Sequence, residues 1–195
     1  MMLGGYSVYA VIDLETTGLK NNSEIAQVAI WNLDDKLNPI SYSNNYFSIN
    51  NEMPIEAYRV NALSKDLLYK LSNGVHFNDM KDWFIEELKD KVLVAHNASF
   101  EKRVLGYHLD GALNNNDWIC TMLRYTPALA LKDRSGNGGY KQCSLTELTA
   151  FVLREINMDF DKLKDMYLNV TGCAARAHDA LFDTYCTALA FNKLG

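Results

Sequence analysis

Apolar residues in this chain come first in short continuous runs and later at helical spacing. Tyr6 to Leu14 (YSVYAVIDL) is an almost unbroken apolar run rich in Val, Ile and Tyr, the pattern of a central strand buried on both faces. Gly18 and the polar stretch from Lys20 to Ser23 make a turn, and Ile25 to Trp31 is a second strand. Asp34 to Pro39 has hairpin-turn character and leads into a third strand, Tyr42 to Ile49.

Helical spacing follows. Ser64 can cap a helix carrying Leu67, Leu68 and Leu71, and Asn78 can cap another with Met80, Trp83, Phe84 and Leu88 on one face. Val92 to Ala95 is a short buried strand that breaks at His96-Asn97, and the next helix carries Phe100, Val104 and Leu105. Trp118 to Thr121 reads as a fifth strand. Ser144 and Glu147 form a capping box before Leu145, Leu148, Val152 and Ile156, and Asp179 to Leu194 is the last helix. Three successive strands, then strands alternating with helices, predict an α/β fold with a mixed sheet whose parallel part lies in the second half. The glycine-rich stretch Lys132 to Lys141 is too short to separate domains, so residues 1–195 are expected to form one domain.

Composition narrows the function without choosing it. Hydrophobic residues at 48% and charged residues at 22% suit a soluble globular chain. A net charge of -5 excludes a protein that coats nucleic acid with a broad positive face. Any such binding must be local, through a few cations or metal ions. Cys120, Cys143, Cys173 and Cys186 form no C-x-x-C pair, which argues for reduced thiols and against zinc or a disulfide framework. The first residues lack the pattern of a signal peptide and no run reaches membrane-spanning length. A soluble, cytoplasmic protein without membrane contact is the expectation.

Three clusters can carry chemistry. Asp13 and Glu15 end the first strand two residues apart, so both carboxylates point to one face at the sheet edge where α/β folds place ligands. Close like charges are costly unless a cation or proton neutralises them, and oxygen ligands suit magnesium or manganese. Alone, such a pair is as well explained by a solvated strand end. Asn97 and Glu101 open the helix after the fourth strand, where a cap and a first-turn carboxylate are the plain reading. His178 and Asp183 lie about 140° apart if both are helical, so they converge only if His178 precedes the helix. A histidine so placed could take a proton from water, or could be an ordinary satisfied polar residue.

Taken in order, the three clusters resemble the DEDDh 3′–5′ exonucleases, the family that includes the proofreading subunit of bacterial replicative polymerase. The first motif is Asp13-Leu-Glu15-Thr16-Thr17-Gly18, the second His96-Asn97-Ala-Ser-Phe100-Glu101, and the third His178-Asp-Ala-Leu-Phe-Asp183. Ile25 to Ala29, Pro54-Ile55, Val60 to Leu68, Cys120-Thr121 and Ser144-Leu145 also match related segments, so the likeness covers nearly the whole chain.

This resemblance implies a ribonuclease-H-like fold, a five-stranded mixed sheet flanked by helices. It implies two divalent metal ions, Mg2+ or Mn2+, held by Asp13, Glu15, Glu101 and Asp183, with His178 as general base and nucleoside 5′-monophosphates as products. Thr16, Thr17, Gly18, Asn61 and Asn97 would meet the terminal nucleotide, and Leu19 and Phe100 would sandwich its base. Phe100 as helix core and Leu19 as a loop anchor are the plain alternatives. Lys102, Arg103, Lys132, Arg134 and Lys141 are candidates for phosphate contacts, against a solvated surface role.

The sequence departs from the family at Glu101, where Asp is usual, and at Asn61-Ala62, where His-Gly is usual. Single-stranded DNA or frayed 3′ ends are the expected substrate, by likeness to the proofreading branch. An RNA or oligoribonucleotide exonuclease is the alternative, and an inactive nucleic-acid-binding module the third reading. A polymerase partner is compatible with the family, but no residue points to one.

Overall fold

The computed structural model describes residues 8–133 and 139–195. Tyr6 and Ser7 of the first expected strand, and residues 134–138 with Arg134 among them, lie outside that description.

Five strands form one sheet in the order β3-β2-β1-β4-β5. β1 (Tyr9–Thr16) lies at its centre, antiparallel to β2 (Ile25–Leu33), which pairs antiparallel with β3 (Pro39–Tyr46). β4 (Val92–Ala95) runs parallel to β1 and β5 (Trp118–Cys120) parallel to β4. This is the mixed sheet expected, with the parallel strands in the second half. β3 begins and ends three residues earlier than its hydrophobicity suggests. Phe47 and Ile49 are buried beyond its end, because the Ser48 N–H leaves the ladder for the Val75 carbonyl at 2.8 Å.

Alternation along β1 serves two cores. Ala10, Ile12 and Leu14 pack with Phe84, Leu88, Val104 and Leu105 from α3 (Lys81–Leu88) and α4 (Ala98–His108). Val11 packs on the other face with Leu163 of α7 (Phe160–Thr171) and with Leu181 and Phe191 of α8 (Ala180–Leu194). α8 crosses β1 and β2 and packs against α6 (Leu145–Glu155), whose capping box at Ser144 and Glu147 forms as expected. Odd-numbered positions of β1 therefore face α8, and Asp13 and Glu15 continue that row past the last apolar contact.

Several local readings change. α2 (Lys65–Ser72) is capped by Ser64 but buries only Leu68 of its three leucines, leaving Leu67 and Leu71 exposed. Asn78 does not cap: the segment opens with a 3-10 turn, Phe77–Met80, capped by His76 through a reciprocal bond with Asp79. Trp83 is exposed while Phe84 and Leu88 are buried. α1 (Ile55–Asn61), α5 (Thr121–Leu129) and α7 have weak sequence signals, α5 because Pro127 lies inside it. Among the described residues no helix is long and apolar enough to cross a membrane.

Candidate active site

Three chain segments meet where β1 and β4 end. β1 delivers Asp13 and Glu15, and its register with β2 shifts between Glu15 and Thr16, a bulge that turns the strand end. β4 stops at Ala95, and Asn97 stands at the N-cap position just before α4, which places Glu101 in its first turn. The Asn97 side chain makes no capping bond; its Oδ1 accepts from the Ser99 hydroxyl at 3.0 Å. The third segment turns at His178, whose φ is 57°, before Asp179 caps α8 and Asp183 falls in the helix's first turn. This is the arrangement the spacing of His178 and Asp183 requires.

Glu15, His178 and Asp183 each offer a ligand atom, and these atoms all lie within 4.8 Å of one another. Asp13 and Glu101 complete the acidic group. Burial pushes the Asp13 carboxyl well above its usual range, and the charges of Asp183, Glu101 and Glu15 push the same way. Glu15 rises to about 8, chiefly through burial and next through Asp183. Burial also lifts Glu101 to about 8 and Asp183 to about 7, the latter against a bond from the His178 N–H at 3.2 Å. Glu101 Oε2 is buried with no hydrogen-bond partner. The orphaned oxygen of Glu101 shares the cleft with three more carboxylates, and hard oxygen donors of this kind could hold a divalent cation.

The acids lie in a cleft of about 920 Å³, lined also by Thr16, Thr17, Gly18, Leu19, Asn61, Asn97 and Phe100. Every residue expected to hold metal, act as base or meet the terminal nucleotide lines this one cleft, whereas the phosphate candidates Lys102, Arg103, Lys132 and Lys141 do not. The Thr16 hydroxyl donates to the Gly18 carbonyl at 2.6 Å, and the Thr17 hydroxyl accepts from the Glu24 N–H at 2.9 Å. Asn61 is buried and committed to protein partners. Leu19 is 81% exposed and Phe100 half-buried, so both keep surface for a ligand.

Arg103 donates to the Leu19 carbonyl at 2.9 Å and lies over the Phe100 ring at 5.7 Å, which fixes the rim rather than leaving a free cation. Lys141 is paired with Glu147 at 2.6 Å.

His96, which the sequence reading placed in the second motif without a role, also lines the cleft. Its Nδ1 lies 3.1 Å from Thr121 Oγ1 and its Nε2 3.0 Å from the Cys143 carbonyl. A carbonyl only accepts, so Nε2 donates and Nδ1 accepts from Thr121. Burial lowers its pKa and keeps it neutral. Arg176 and Asp179, which brace the His178 turn, were also missed. Asp179 sat in view as a cap preceding an apolar helix, whereas nothing in the spacing marks Arg176.

Comparison with known proteins agrees with this geometry. The family described as Exonuclease matches residues 10–191. A DNA polymerase III subunit epsilon from Rickettsia conorii is 32% identical over 103 residues, 51% of this chain and 43% of that protein. The 3′–5′ exonuclease DinG of Staphylococcus haemolyticus is 32% identical over 99 residues, 50% of this chain and 10% of its own length. This chain thus spans less than half the length of these curated relatives.

Among solved structures, E. coli Exonuclease I in complex with a dT13 oligonucleotide superposes with a TM-score of 0.70 at 16% identity, covering 97% of this chain and 41% of that one. Exonuclease X in complex with 5′ overhanging duplex DNA gives 0.61 at 19% identity, covering 94% and 89%. The shared sheet is the ribonuclease-H-like fold, and with the family match running from the first strand to the last helix, this chain belongs to the exonuclease family.

Proposed function

We propose that this protein is a metal-dependent 3′–5′ exonuclease acting on DNA ends, with His178 as general base. The observation that carries the reading is the convergence of Asp13, Glu15, Glu101 and Asp183 from three segments on one cleft, with Glu101 Oε2 buried and unpartnered. Asp13, Glu15 and Asp183 would hold one divalent ion, and Asp13 with Glu101 a second. Two such ions, magnesium or manganese, would supply neutralising charge, polarise a water and stabilise the departing 3′ oxygen.

The remaining work falls to side chains. His178 is exposed to the cleft with a ring nitrogen within 4.8 Å of carboxylate oxygens of Glu15 and Asp183, a place from which to accept the proton of an attacking water. Leu19 and Phe100 flank the cleft and would grip the terminal base by stacking and apolar contact, which tolerates any sequence. The backbone around Thr16 to Gly18 would meet the terminal sugar and phosphate. Glu101 reaches one methylene further than the family's usual aspartate. Its burial and unpartnered oxygen favour a working ligand over a decayed one.

DNA is preferred over RNA because the structural relatives above were solved with an oligodeoxynucleotide and with overhanging duplex DNA. The test is purified protein with 5′-labelled single-stranded DNA and matching RNA, in magnesium, manganese or chelator. A metal-dependent ladder shortening from the 3′ end, faster on DNA, is expected. Asp13→Ala should abolish it, with a loss on the order of 10³-fold or more, while the melting transition stays cooperative. A well-folded, active Asp13→Ala protein would sink the assignment.

A further inference from the structure

The turn that brings His178 into the cleft adopts a left-handed backbone, which a residue with a Cβ keeps only where its surroundings impose it. Two braces stand on either side. After His178, Asp179 Oδ1 accepts from the Leu181 N–H at 3.1 Å and from Gln27 Nε2 at 3.5 Å, and its Oδ2 accepts from the Tyr46 hydroxyl at 3.3 Å. Before it, Arg176 Nη2 donates to the Asn61 carbonyl at 2.8 Å and lies 3.9 Å from Asp179 Oδ2.

Asn61 is the last residue of α1, and its side chain is spent on the opposite wall. Nδ2 donates to the Thr16 carbonyl at 3.3 Å, while Oδ1 accepts from the Leu63 N–H at 3.0 Å. Both ends of this buried amide are thus engaged by the protein's own backbone, which holds Asn61 against the end of β1.

We infer that Arg176 is a positioning residue, which ties the His178 turn through Asn61 to the end of β1 and so fixes the base relative to Glu15. The inference rests on the proposed role of His178 and deepens it. Asn61 acts as the relay, in place of a direct substrate contact. The tie is directional: a guanidinium holds a carbonyl with a rigid planar donor, whereas an ammonium on a flexible stem supplies the charge without the geometry.

Arg176→Ala and Arg176→Lys test this by two readouts. In hydrogen exchange of the metal-free protein, Arg176→Ala should exchange about ten-fold faster across residues 177–183, with β1 and β2 unchanged. In steady-state cleavage of a labelled oligonucleotide, kcat should fall roughly ten- to a hundred-fold, the scale of a small misplacement of a catalytic group, with KM within about three-fold. Arg176→Lys should recover less than half of the lost kcat.

Wild-type exchange in 177–183, a loss confined to KM, full recovery by lysine, or faster exchange throughout β1 and β2 would each overturn the inference. Should the wild type itself cleave nothing, the nuclease reading fails while the exchange measurement still decides whether Arg176 ties the turn.

Discussion

Four acids in one cleft, Glu15 and Glu101 buried and Asp13 and Asp183 half-buried, make the metal-free protein pH-sensitive, and Glu15→Gln isolates that effect. The Glu15 carboxyl rises from 4.5 to about 8. A raised carboxyl pKa means the folded chain binds a proton that the unfolded chain has already released. Its contribution is therefore complete below the unfolded value and is lost as pH climbs through the folded one. Between pH 6 and pH 8, a single carboxyl shifted this far gives up about 2 kcal/mol, at about 1.4 kcal/mol per pKa unit. Asp183 and Glu101, lifted to about 7 and about 8, titrate in the same window and add to the decline.

Glutamine has the shape of the protonated acid and does not titrate. Glu15→Gln should match the wild type near pH 5.5 and exceed it at pH 8 by about 1–3 kcal/mol. For a chain of this size that is roughly 3–10 °C in Tm. The assay is thermal unfolding in chelator at pH 5.5, 7 and 8, repeated with millimolar manganese. Added manganese should raise the wild-type Tm most at pH 8, where the carboxyls are free of protons, and should raise the Glu15→Gln Tm much less. Equal destabilisation of Glu15→Gln at all three pH values would refute the reasoning, since it would mean the carboxylate stabilises the fold without a cation.

His178→Gln should lower kcat on the order of 10²–10⁴-fold and leave manganese affinity by calorimetry within a few-fold, because a base is lost and a ligand is not. Phe100→Ala should raise KM for a short oligonucleotide by about 1–3 kcal/mol of lost stacking, read from initial rates against substrate concentration. Phe84, fully buried against Phe47 and Phe77, anchors the core between α3 and the sheet. Phe84→Ala should cost about 3–5 kcal/mol by urea unfolding, with residual activity per folded molecule retained.

The sheet was legible because its central strands carry continuous apolar runs that no helix or loop would need, as in Tyr9–Thr16 and Ile25–Leu33. The acidic site was legible because strand alternation fixes where Asp13 and Glu15 point, and because the three motifs are rare in combination. What escaped was set by tertiary context. Leu67, Leu71 and Trp83 satisfy an amphipathic pattern yet face solvent, since it is Leu68 in α2 and Phe84 and Leu88 in α3 that meet the core. Asn78 has the right chemistry for a cap, but the helical turn begins earlier, at Phe77, and the cap position falls on His76, two residues before Asn78. Asn61 lines the cleft as expected, but it is buried there and its side chain bonds the Thr16 carbonyl and the Leu63 N–H behind it.

The site's own instability explains why its supports are polar and local. Four acids whose charged forms burial disfavours cannot be held in place by mutual attraction, so each must be positioned by the element that carries it. Asp13 and Glu15 sit on the best-buried strand pair, Glu101 on the first turn of α4, and Asp183 on the first turn of α8, where helix N-terminal dipoles favour negative charge. The member without a helix or strand of its own is His178, in a left-handed turn. That is where the side-chain bracing gathers: Asp179 on Gln27 and Tyr46, Arg176 on Asn61, and the His178 N–H on Asp183 itself. Regular structure holds the ligands, and a hydrogen-bond network holds the base. The two supports fail differently: damage to the sheet lowers stability, whereas damage to the network lowers kcat at unchanged stability.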